Sequence, residues 1–336
     1  MDIERFDELL DWLRAHGRIG AQERPRMAVL AGGVSNRTVL LERQSGEAWV
    51  LKQALEKLRV QADWFSDPAR ILREALGLRE LAKLAPTGTI TPLIFEDEPV
   101  HVLAMAAVPK PHENWKTMLL AGNIEVAHVR QFAELLGTVH RRSHEARAEL
   151  AAKFEDRRFF ESLRLEPYYA YSAERVPDAA RFLNALIEAT RARRLALVHG
   201  DYSPKNVLVH AGRLVLLDHE VIHWGDPAFD LGFALTHLLS KAHHLPARRA
   251  AFAAAAGVFW KDYAAALGDV PWGAVLERFV VRHALGCLLA RVAGRSPLEY
   301  LTSDERKRQQ EAAIELMGKT PERVQELVET FTLRLA

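Results

Sequence analysis

The segment His199-Gly-Asp-Tyr-Ser-Pro-Lys-Asn206, followed by Leu217-Asp-His-Glu220, carries the most information in this chain. It places two carboxylates and one amide oxygen, those of Asp201, Asp218 and Asn206, close together in sequence. Transfer of a phosphoryl group needs a carboxylate near the attacking hydroxyl, and it needs oxygen ligands for the magnesium ion that accompanies the nucleotide. The pattern therefore predicts a phosphoryl-transfer site of the kind found in kinases.

Short apolar runs flank this segment and are typical of buried strands. They occupy residues 195–198, 207–209 and 214–217. A hairpin over residues 207–217, with its turn at 210–213, would bring Asn206 and Asp218 side by side. Each aspartate alone has a simpler explanation, because Asp is common in turns. The combination of spacing and flanking strands favours a metal site.

At these residues the chain resembles the aminoglycoside phosphotransferase family, which includes choline kinases, homoserine kinases and methylthioribose kinases. The family signature is His-Gly-Asp, an Asn five residues after the Asp, and a strand that ends in Asp-x-Glu. The continuation Trp224-Gly-Asp-Pro-Ala-Phe-Asp230-Leu-Gly is also shared. The resemblance covers roughly residues 25–300. It implies an α+β, bilobal, protein-kinase-like fold, with a small N-terminal β-sheet lobe that has one main helix, and a larger, mostly helical C-terminal lobe.

The resemblance also implies roles for individual side chains, with ATP and Mg²⁺ as cofactors. Asp201 would be the catalytic base, and Asn206 and Asp218 would hold the metal. Glu220 would assist the metal or face the acceptor. Ser203 occupies the position of a lysine in protein kinases. Small-molecule kinases often lack that lysine, so this difference argues against a protein substrate.

A glycine turn upstream, within Leu30-Ala-Gly-Gly-Val-Ser-Asn36, is the predicted phosphate-binding element. Glycine lets the backbone approach a phosphate closely, and successive amide groups form a concave anion site. A Gly-Gly turn alone is more simply a hairpin, and no Gly-x-x-x-x-Gly-Lys-Ser/Thr motif is present. The expected contacts are Gly32, Gly33, Ser35 and Asn36.

Lys52 ends an apolar run at residues 48–52, where a lysine either reaches water or meets an anion. A helix is predicted after Ser66-Asp-Pro68. At helical spacing, Glu74 falls on the flank of the apolar stripe, whereas Glu80 projects nearly opposite it. We therefore expect Glu74 to pair with Lys52, as the resemblance also implies; the alternative is a solvated carboxylate.

Two lobes are expected, because the chain of 336 residues is long for a single small core. Residues 1–107, with a leading helix at 1–25, would form the nucleotide-binding lobe, and residues 108–336 the catalytic and substrate-binding lobe. Two prolines in residues 106–111 favour an extended crossing between them. In the resembling kinases such a hinge binds adenine through its backbone, which would place Met105 and Val108 at the base. Helices are predicted at 126–144, 179–193, 228–240, 248–267, 272–294 and 303–316.

Composition excludes several partners. The net charge of +1 predicts no global attraction to nucleic acid or to anionic membranes. One cysteine, Cys287, precludes internal disulfides and suits a reducing cytoplasm; its apolar context favours packing over nucleophilic chemistry. No apolar run is long enough to cross a membrane, and the N-terminus lacks the features of a signal peptide. We expect a cytoplasmic protein, with no protein partner evident.

The expected phosphate acceptor is a hydroxyl-bearing small molecule. The short segment between Asp218 and Asp230 leaves no room for a protein-docking loop. The late helices mix charge signs, which argues against a polycationic acceptor. Residues 159–169 and 289–294 loosely resemble methylthioribose kinases, in which arginines near the second stretch help hold the sugar. A sugar-like or neutral polyol is the first expectation, and an amino-alcohol or antibiotic the second, with Glu220, Trp224 and Arg291 as candidate contacts.

Several residues have alternative interpretations. His140 and His144 have a spacing that can bind zinc, but nearby arginines and the lack of an acidic motif favour packing. His199 is expected to be a hydrogen-bonded anchor of the loop, and Asp230 to tie that loop from a helix below. Two other function classes remain: a nucleotide-binding pseudokinase or regulatory module, and a nucleotidyl transferase that binds ATP in reverse.

Overall fold

A five-stranded antiparallel sheet forms the first lobe in the computed structural model, which describes residues 1–30, 33–59 and 64–335. Its strands are β1 (Arg26–Val29), β2 (Asn36–Glu42), β3 (Ala48–Ala54), β4 (Leu93–Asp97) and β5 (Val102–Ala106). Their order across the sheet is β1-β2-β3-β5-β4. The same lobe contains helices α1 (Phe6–Ala15) and α2 (Arg70–Leu84).

The two helices cover opposite faces of the sheet because side chains alternate along each strand. In β5, Val102 and Ala104 belong to the apolar cluster that includes α1. Leu103 and Met105 belong to the cluster that includes α2. The central strands are therefore buried on both faces, and the polar positions of β3 that remain are available for a site.

The second lobe is mainly helical, and one large core joins its helices. They are α3 (Trp115–Leu120), α4 (Val126–Glu145), α5 (Arg147–Lys153), α6 (Arg158–Phe160), α7 (Tyr171–Arg175), α8 (Pro177–Ala192), α9 (Ala228–His244), α10 (Arg249–Leu267), α11 (Gly273–Ala293), α12 (Ser303–Gly318) and α13 (Val324–Arg334). A π-helical segment, Glu161–Ala170, joins α6 to α7. Helix α9 packs between α10 and α11 at the centre of the lobe. The predicted α+β, bilobal fold is confirmed.

Three differences from the predicted helices have local causes. The leading helix ends at Ala15, followed by Gly17 in a left-handed conformation, instead of reaching residue 25. Helix α2 begins at Arg70, after Asp67 accepts a hydrogen bond from the amide of Ala69. The helical stretch around Pro167 was not predicted, because proline disfavours a helix interior.

Glu80 shows how tertiary contacts change an exposed-looking position. It faces away from the sheet, as predicted, but it is only 5% exposed. The helical lobe covers it, and its carboxylate accepts hydrogen bonds from Lys153 at 2.9 Å and from Lys83 at 2.8 Å. This side of α2 therefore contributes to the contact between the lobes.

Short strands in the helical lobe carry the segment that was singled out in the sequence. They are β6 (His112–Asn114), β7 (Ala196–Val198), β8 (Val207–His210), β9 (Arg213–Leu216) and β10 (His223–Gly225). The predicted hairpin is confirmed: β8 pairs with β9, and its turn has positive φ at Ala211 and Gly212. The amide of Leu217 donates to the carbonyl of Asn206 at 2.8 Å. The hairpin thus brings Asn206 next to Asp218.

None of the helices in the described ranges has both the length and the hydropathy needed to cross a bilayer.

Candidate active site

A buried carboxylate holds the loop that carries Asp201. Asp230, in the first turn of α9, accepts hydrogen bonds from the amides of His199 at 2.7 Å and Gly200 at 2.8 Å. Burial alone would raise the pKa of Asp230, but its bond with His140 and the neighbouring charges lower it below the ordinary value. Asp230 therefore remains an anion and fixes the loop, as the sequence predicted.

The same loop requires glycine at position 200. Gly200 has a φ of 77°, and a Cβ there would lie 2.9 Å from the side chain of Val221. His199 packs beneath it, and its Nδ1 accepts the amide proton of Asp201 at 3.2 Å. Burial lowers the pKa of His199, so the ring stays neutral. The predicted anchoring contact of His199 is present.

Two side chains of the described residues bind the carboxylate of Asp201. One is the Asn206 amide, whose Nδ2 donates to Asp201 Oδ2 at 2.8 Å and to the Asp201 carbonyl at 3.0 Å. The other is Arg164, with Nη2 2.9 Å from Asp201 Oδ2. Because Asn206 uses its nitrogen for Asp201, its amide oxygen is left for another ligand.

Arg164 was not predicted from the sequence. It lies in the π-helical segment, and its Nε also donates to the carbonyl of Gly200 at 2.8 Å. Burial opposes the charged form, but the carboxylate of Asp201 raises the pKa of Arg164 above its usual value. Ser203 was the hint in the sequence that such a residue exists. Because it replaces the lysine of protein kinases, another segment could supply the cation beside Asp201.

Lys52 joins three elements at the centre of the site. From β3 its Nζ donates to Glu74 of α2 at 2.6 Å and to Asp218 at 3.0 Å. Burial by itself would lower the pKa of Lys52, but the charges of Asp218 and Glu74 raise it. Burial likewise opposes the charge on Asp218, and Lys52 lowers the pKa of that carboxyl below its usual range. Burial raises the pKa of Glu74 to about 7 despite the nearby charge of Lys52, so Lys52 and Asp218 stay ionised and Glu74 is the member of the trio that titrates near neutral pH.

Glu220 makes a second link between the lobes. Its Oε2 accepts from Arg70 Nε at 3.1 Å and from Asn36 Nδ2 at 3.2 Å. The fully buried Arg70 also donates to the carbonyl of Ser35 and, at 2.8 Å, to that of Leu55. Arg70 therefore ties the backbone beside the glycine turn to Glu220, a role that the sequence did not reveal.

The predicted phosphate contacts occupy different environments. Gly33 is exposed, Ser35 lines the cavity described below, and Gly32 lies outside the described residues. Asn36 is buried at the start of β2, with its amide directed to Glu220 and Ser35. Glu220 thus binds the side-chain nitrogen of Asn36 from the other lobe, and the expected contact of Asn36 with the nucleotide stays a prediction.

Met105 and Val108 flank the crossing between the lobes. Met105 pairs with Val50 across the sheet, and its sulfur accepts a hydrogen bond from Thr91. Val108 is buried, and its N–H makes no backbone hydrogen bond within the described ranges. The side chain of Met105 is thus committed to packing, and the backbone of Val108 is the group free to bind a base. The division of the lobes at 107/108 stays a prediction.

A cavity of about 300 Å³ lies between these groups. Its charged lining consists of Lys116, Arg164, Asp201, Lys205, Asp218, Glu220, Arg291 and Glu299. Carboxylates of the loop that carries Asp201 and of the segment after β9 thus face one space, as phosphoryl transfer requires. Arg291, a predicted acceptor contact, is part of this wall.

Trp224 is a correction to the predicted acceptor contacts. It lies in β10, is 6% exposed, and belongs to the large apolar core. Its amide donates to the carbonyl of Phe154 at 2.8 Å. The pairing of β10 with β7 turns the indole into the helical lobe, away from the cavity.

The two histidines with zinc-like spacing have structural partners. His140 contacts the Tyr263 hydroxyl at 2.9 Å and Asp230 at 3.3 Å. His144 contacts the carbonyl of Leu195 at 2.8 Å. Within the described part of the chain, no group of three or more His, Cys, Asp or Glu side chains is placed to hold a metal. These histidines are packing residues, as predicted.

Sequence comparisons place this site among known enzymes. Residues 26–268 match the phosphotransferase enzyme family, APH. A methylthioribose kinase of Pectobacterium atrosepticum is 27% identical over 280 residues, which are 75% of this chain and 69% of the relative. A second methylthioribose kinase, of Pectobacterium carotovorum subsp. carotovorum, is 29% identical over 235 residues, which are 62% of this chain but only 58% of that relative.

Solved structures agree with the fold. The macrolide 2′-phosphotransferase MphH of Brachybacterium faecium has a TM-score of 0.52 at 20% identity, covering 92% of this chain and 98% of its own. The streptomycin–ATP–APH(2″)-IIa ternary complex has a TM-score of 0.54 at 14% identity, covering 93% and 98%. The fold is therefore that of the protein-kinase-like phosphotransferases. Since the family match extends over most of the chain and includes the catalytic loop, the hairpin and Lys52, the protein belongs to the APH phosphotransferase enzyme family and is a small-molecule kinase.

Proposed function

We propose that this kinase transfers the γ-phosphoryl group of ATP to a hydroxyl of a small, sugar-like molecule. The observation that carries the proposal is the arrangement of Lys52, which binds Glu74 and Asp218 together at one side of the cavity. In protein kinases, a strand lysine paired with a helix glutamate and set beside a metal-binding aspartate is the active arrangement for binding ATP phosphates. This chain has the same three side-chain types on the corresponding elements.

The nucleotide would lie under the glycine turn. Gly32, Gly33 and Ser35 would contact its phosphates, with Lys52 on the α and β phosphates. The unpaired N–H of Val108 would bind adenine at the crossing, beside Met105. Asn36, whose side-chain nitrogen binds Glu220 and Ser35, would support this element.

The side chains of Asn206 and Asp218 fit a magnesium ion. Lys52 occupies one oxygen of Asp218, which leaves the other, and Asn206 keeps its amide oxygen because its nitrogen binds Asp201. Mg²⁺ retains several waters and takes few protein ligands, so one carboxylate and one amide are sufficient. Glu220 lines the same cavity with one oxygen already bound by Arg70, so it would assist through the other. The ion would neutralise charge on the phosphates.

Asp201 would orient the acceptor hydroxyl and take its proton. The hydroxyl oxygen forms a bond to the γ-phosphorus while the bond from that phosphorus to the β,γ-bridging oxygen breaks, and ADP leaves. Arg164 and Asn206 hold Asp201 in position by binding its Oδ2. Positioned proton transfer of this kind contributes about a hundred- to ten-thousand-fold.

The test replaces Asp201 by Asn, which keeps its shape but removes the base. We expect ADP release with the best acceptor among sugars, amino-alcohols and antibiotics to fall by about a hundred- to ten-thousand-fold. Calorimetric affinity for the Mg²⁺ complex of AMP-PNP should stay nearly unchanged. Asp178→Asn, at an exposed position of α8, is the matched control.

Asp218→Ala, in contrast, should abolish magnesium-dependent nucleotide binding itself. Undiminished turnover in Asp201→Asn would remove Asp201 from the chemistry, and unchanged nucleotide affinity in Asp218→Ala would remove Asp218 from the metal site. The mass of the product distinguishes phosphoryl transfer from the alternative, nucleotidyl transfer.

A further inference from the structure

One end of the cavity has a charge pattern that the proposed chemistry does not use. We call it the acceptor end; it is formed by Lys116, Tyr168, Phe233, His237, Arg291 and Glu299. It begins beside the ion pair of Asp201 and Arg164, because the guanidinium of Arg164 lies 5.7 Å from the centre of the Tyr168 ring. Arg291 lies at the same distance, 5.7 Å, from that ring. The two guanidinium groups are thus separated by no more than twice this distance.

Arg291 is a buried cation that forms no salt bridge with a carboxylate of the described residues. It is 9% exposed, and its Nη1 donates to the Tyr168 hydroxyl at 3.1 Å and to the hydroxyl and carbonyl of Ser296. Its Nε is buried and has no hydrogen-bond partner in the described part of the chain. Buried charges are normally paired, so a guanidinium that lines the cavity without a carboxylate partner in the described residues indicates that a ligand supplies the counter-charge.

Lys241 is a second buried cation directly behind this wall. It is fully buried, and its Nζ donates to the carbonyl of His237, one turn earlier in α9, at 3.2 Å. Its ammonium also lies 5.3 Å from the centre of the Tyr300 ring. No acidic side chain forms a salt bridge with Lys241 among residues 1–30, 33–59 and 64–335. Burial, together with the charge of Lys116, lowers the pKa of Lys241 to about 7.

Polar groups around these cations are also unsatisfied. The Nε2 of His237 and the hydroxyl of Tyr300 are buried without a partner in the described residues. His237 is 5% exposed, and burial keeps its pKa well below the ordinary value, so it is neutral. The carboxylate of this end, Glu299, is already paired with Lys116 and is mostly exposed. Among the described residues, the basic groups Lys116, Lys241 and Arg291 therefore outnumber the carboxylate of Glu299 at this end.

Building on the proposed function, we propose that the phosphate acceptor carries a compact oxyanion, a carboxylate or a phosphate, which binds at Arg291 and the field of Lys241. The hydroxyl that reacts would lie at Asp201, one aromatic ring away. The chemical class is a hydroxy acid, sugar acid or sugar phosphate. This narrows the expected class of acceptor from sugar-like molecules in general to anionic ones. It disfavours cationic amino-alcohols and aminoglycosides, because the positive charge of Arg291 and Lys241 would repel them.

Matched acceptors that differ mainly in charge provide the test. One set is glucose, gluconate and glucosamine, another is glycerol, glycerate and serinol, and ribose with ribose 5-phosphate separates phosphate from carboxylate. Each compound is assayed for ADP release with Mg²⁺ and ATP. Its binding is also measured by calorimetry, with and without the Mg²⁺ complex of AMP-PNP, so that affinity is read independently of turnover.

We expect the anionic member of at least one set to bind about tenfold or more tightly than its neutral counterpart. Arg291→Gln should remove this preference by weakening the anion about ten- to a hundred-fold, because charge-assisted hydrogen bonds are the strong ones. The neutral member should change little. Arg278→Gln, at an exposed position of the same helix, is the control. Lys241→Met provides a second variant in case Arg291→Gln does not fold.

The proposal is overturned if no anionic member binds more tightly than its neutral counterpart. It is equally overturned if both substitutions, Arg291→Gln and Lys241→Met, weaken neutral and anionic members alike. Preferred phosphorylation of a neutral sugar would overturn the anion site while leaving the kinase proposal intact. Failure to bind the Mg²⁺ nucleotide would contradict the kinase proposal alone, since anion binding is also measured without nucleotide.

Discussion

Replacing Lys241 by Met should stabilise the protein, because the native state buries this ammonium and no carboxylate in the described residues forms a salt bridge with it. Burial lowers its pKa from the ordinary 10.5 to about 7 in the folded protein. One unit of pKa difference between the folded and unfolded states corresponds to about 1.4 kcal/mol. The charged lysine therefore costs the folded state up to about 5 kcal/mol. Methionine has a similar length and fills the same apolar space without this cost.

The increase in the free energy of unfolding that Lys241→Met produces should depend on pH in a defined direction. Below pH 7 the lysine is protonated in both states, so the native protein bears the full cost. Between about 7 and 10.5 the folded protein releases the proton while the unfolded chain keeps it, so wild-type stability rises with pH. Above that range both states are neutral and the cost disappears. The advantage of Lys241→Met should be greatest near pH 6 and small near pH 10.

Urea unfolding, followed by circular dichroism at 222 nm, measures this difference in the mainly helical lobe that contains Lys241. The comparison is the free energy of unfolding of variant minus wild type at each pH, so that other titrating groups cancel. Lys261→Met, at an exposed position of α10, is the control and should change stability little at any pH. A variant that is less stable than wild type at pH 6, or equally stabilised at pH 6 and 10, would refute the reasoning. The same variant should lose affinity for anionic acceptors, which would link the destabilising charge to binding.

Two further predictions concern buried groups. Arg164→Met should lower the free energy of unfolding by about 3–5 kcal/mol, because it removes the cation paired with the buried carboxylate of Asp201. It should also reduce ADP release, whereas Arg158→Met, at an exposed position nearby, should change neither quantity. Wild-type turnover and stability in Arg164→Met would contradict the role of Arg164. Cys287 should not react with a thiol reagent in the folded protein, because it is buried and burial raises its pKa to about 12. It should react fully in urea. Rapid modification of the folded protein would show that this thiol is accessible.

Local sequence determined much of the candidate site. The hairpin of β8 and β9 needs only two short apolar runs and a turn, so the adjacency of Asn206 and Asp218 could be predicted from spacing. Helical periodicity similarly identified Glu74 over Glu80 as the partner of Lys52. These contacts lie within elements, or between elements whose faces are set by their own residue patterns.

Tertiary structure alone decided which polar side chains are buried and what they meet. Arg70 reaches Glu220 across 150 residues, and Asn36 reaches it across 184, so no local pattern connects them. The pairing of β10 with β7 places Trp224 in the core. Arg164 reaches Asp201 from a π-helical segment that was not predicted, because Pro167 lies within it. Lys241 follows the helix predicted at 228–240, and only the packing of the surrounding elements removes it from water. The sequence determines which residues carry charge, but whether a charged group loses its contact with water depends on what the rest of the chain packs around it.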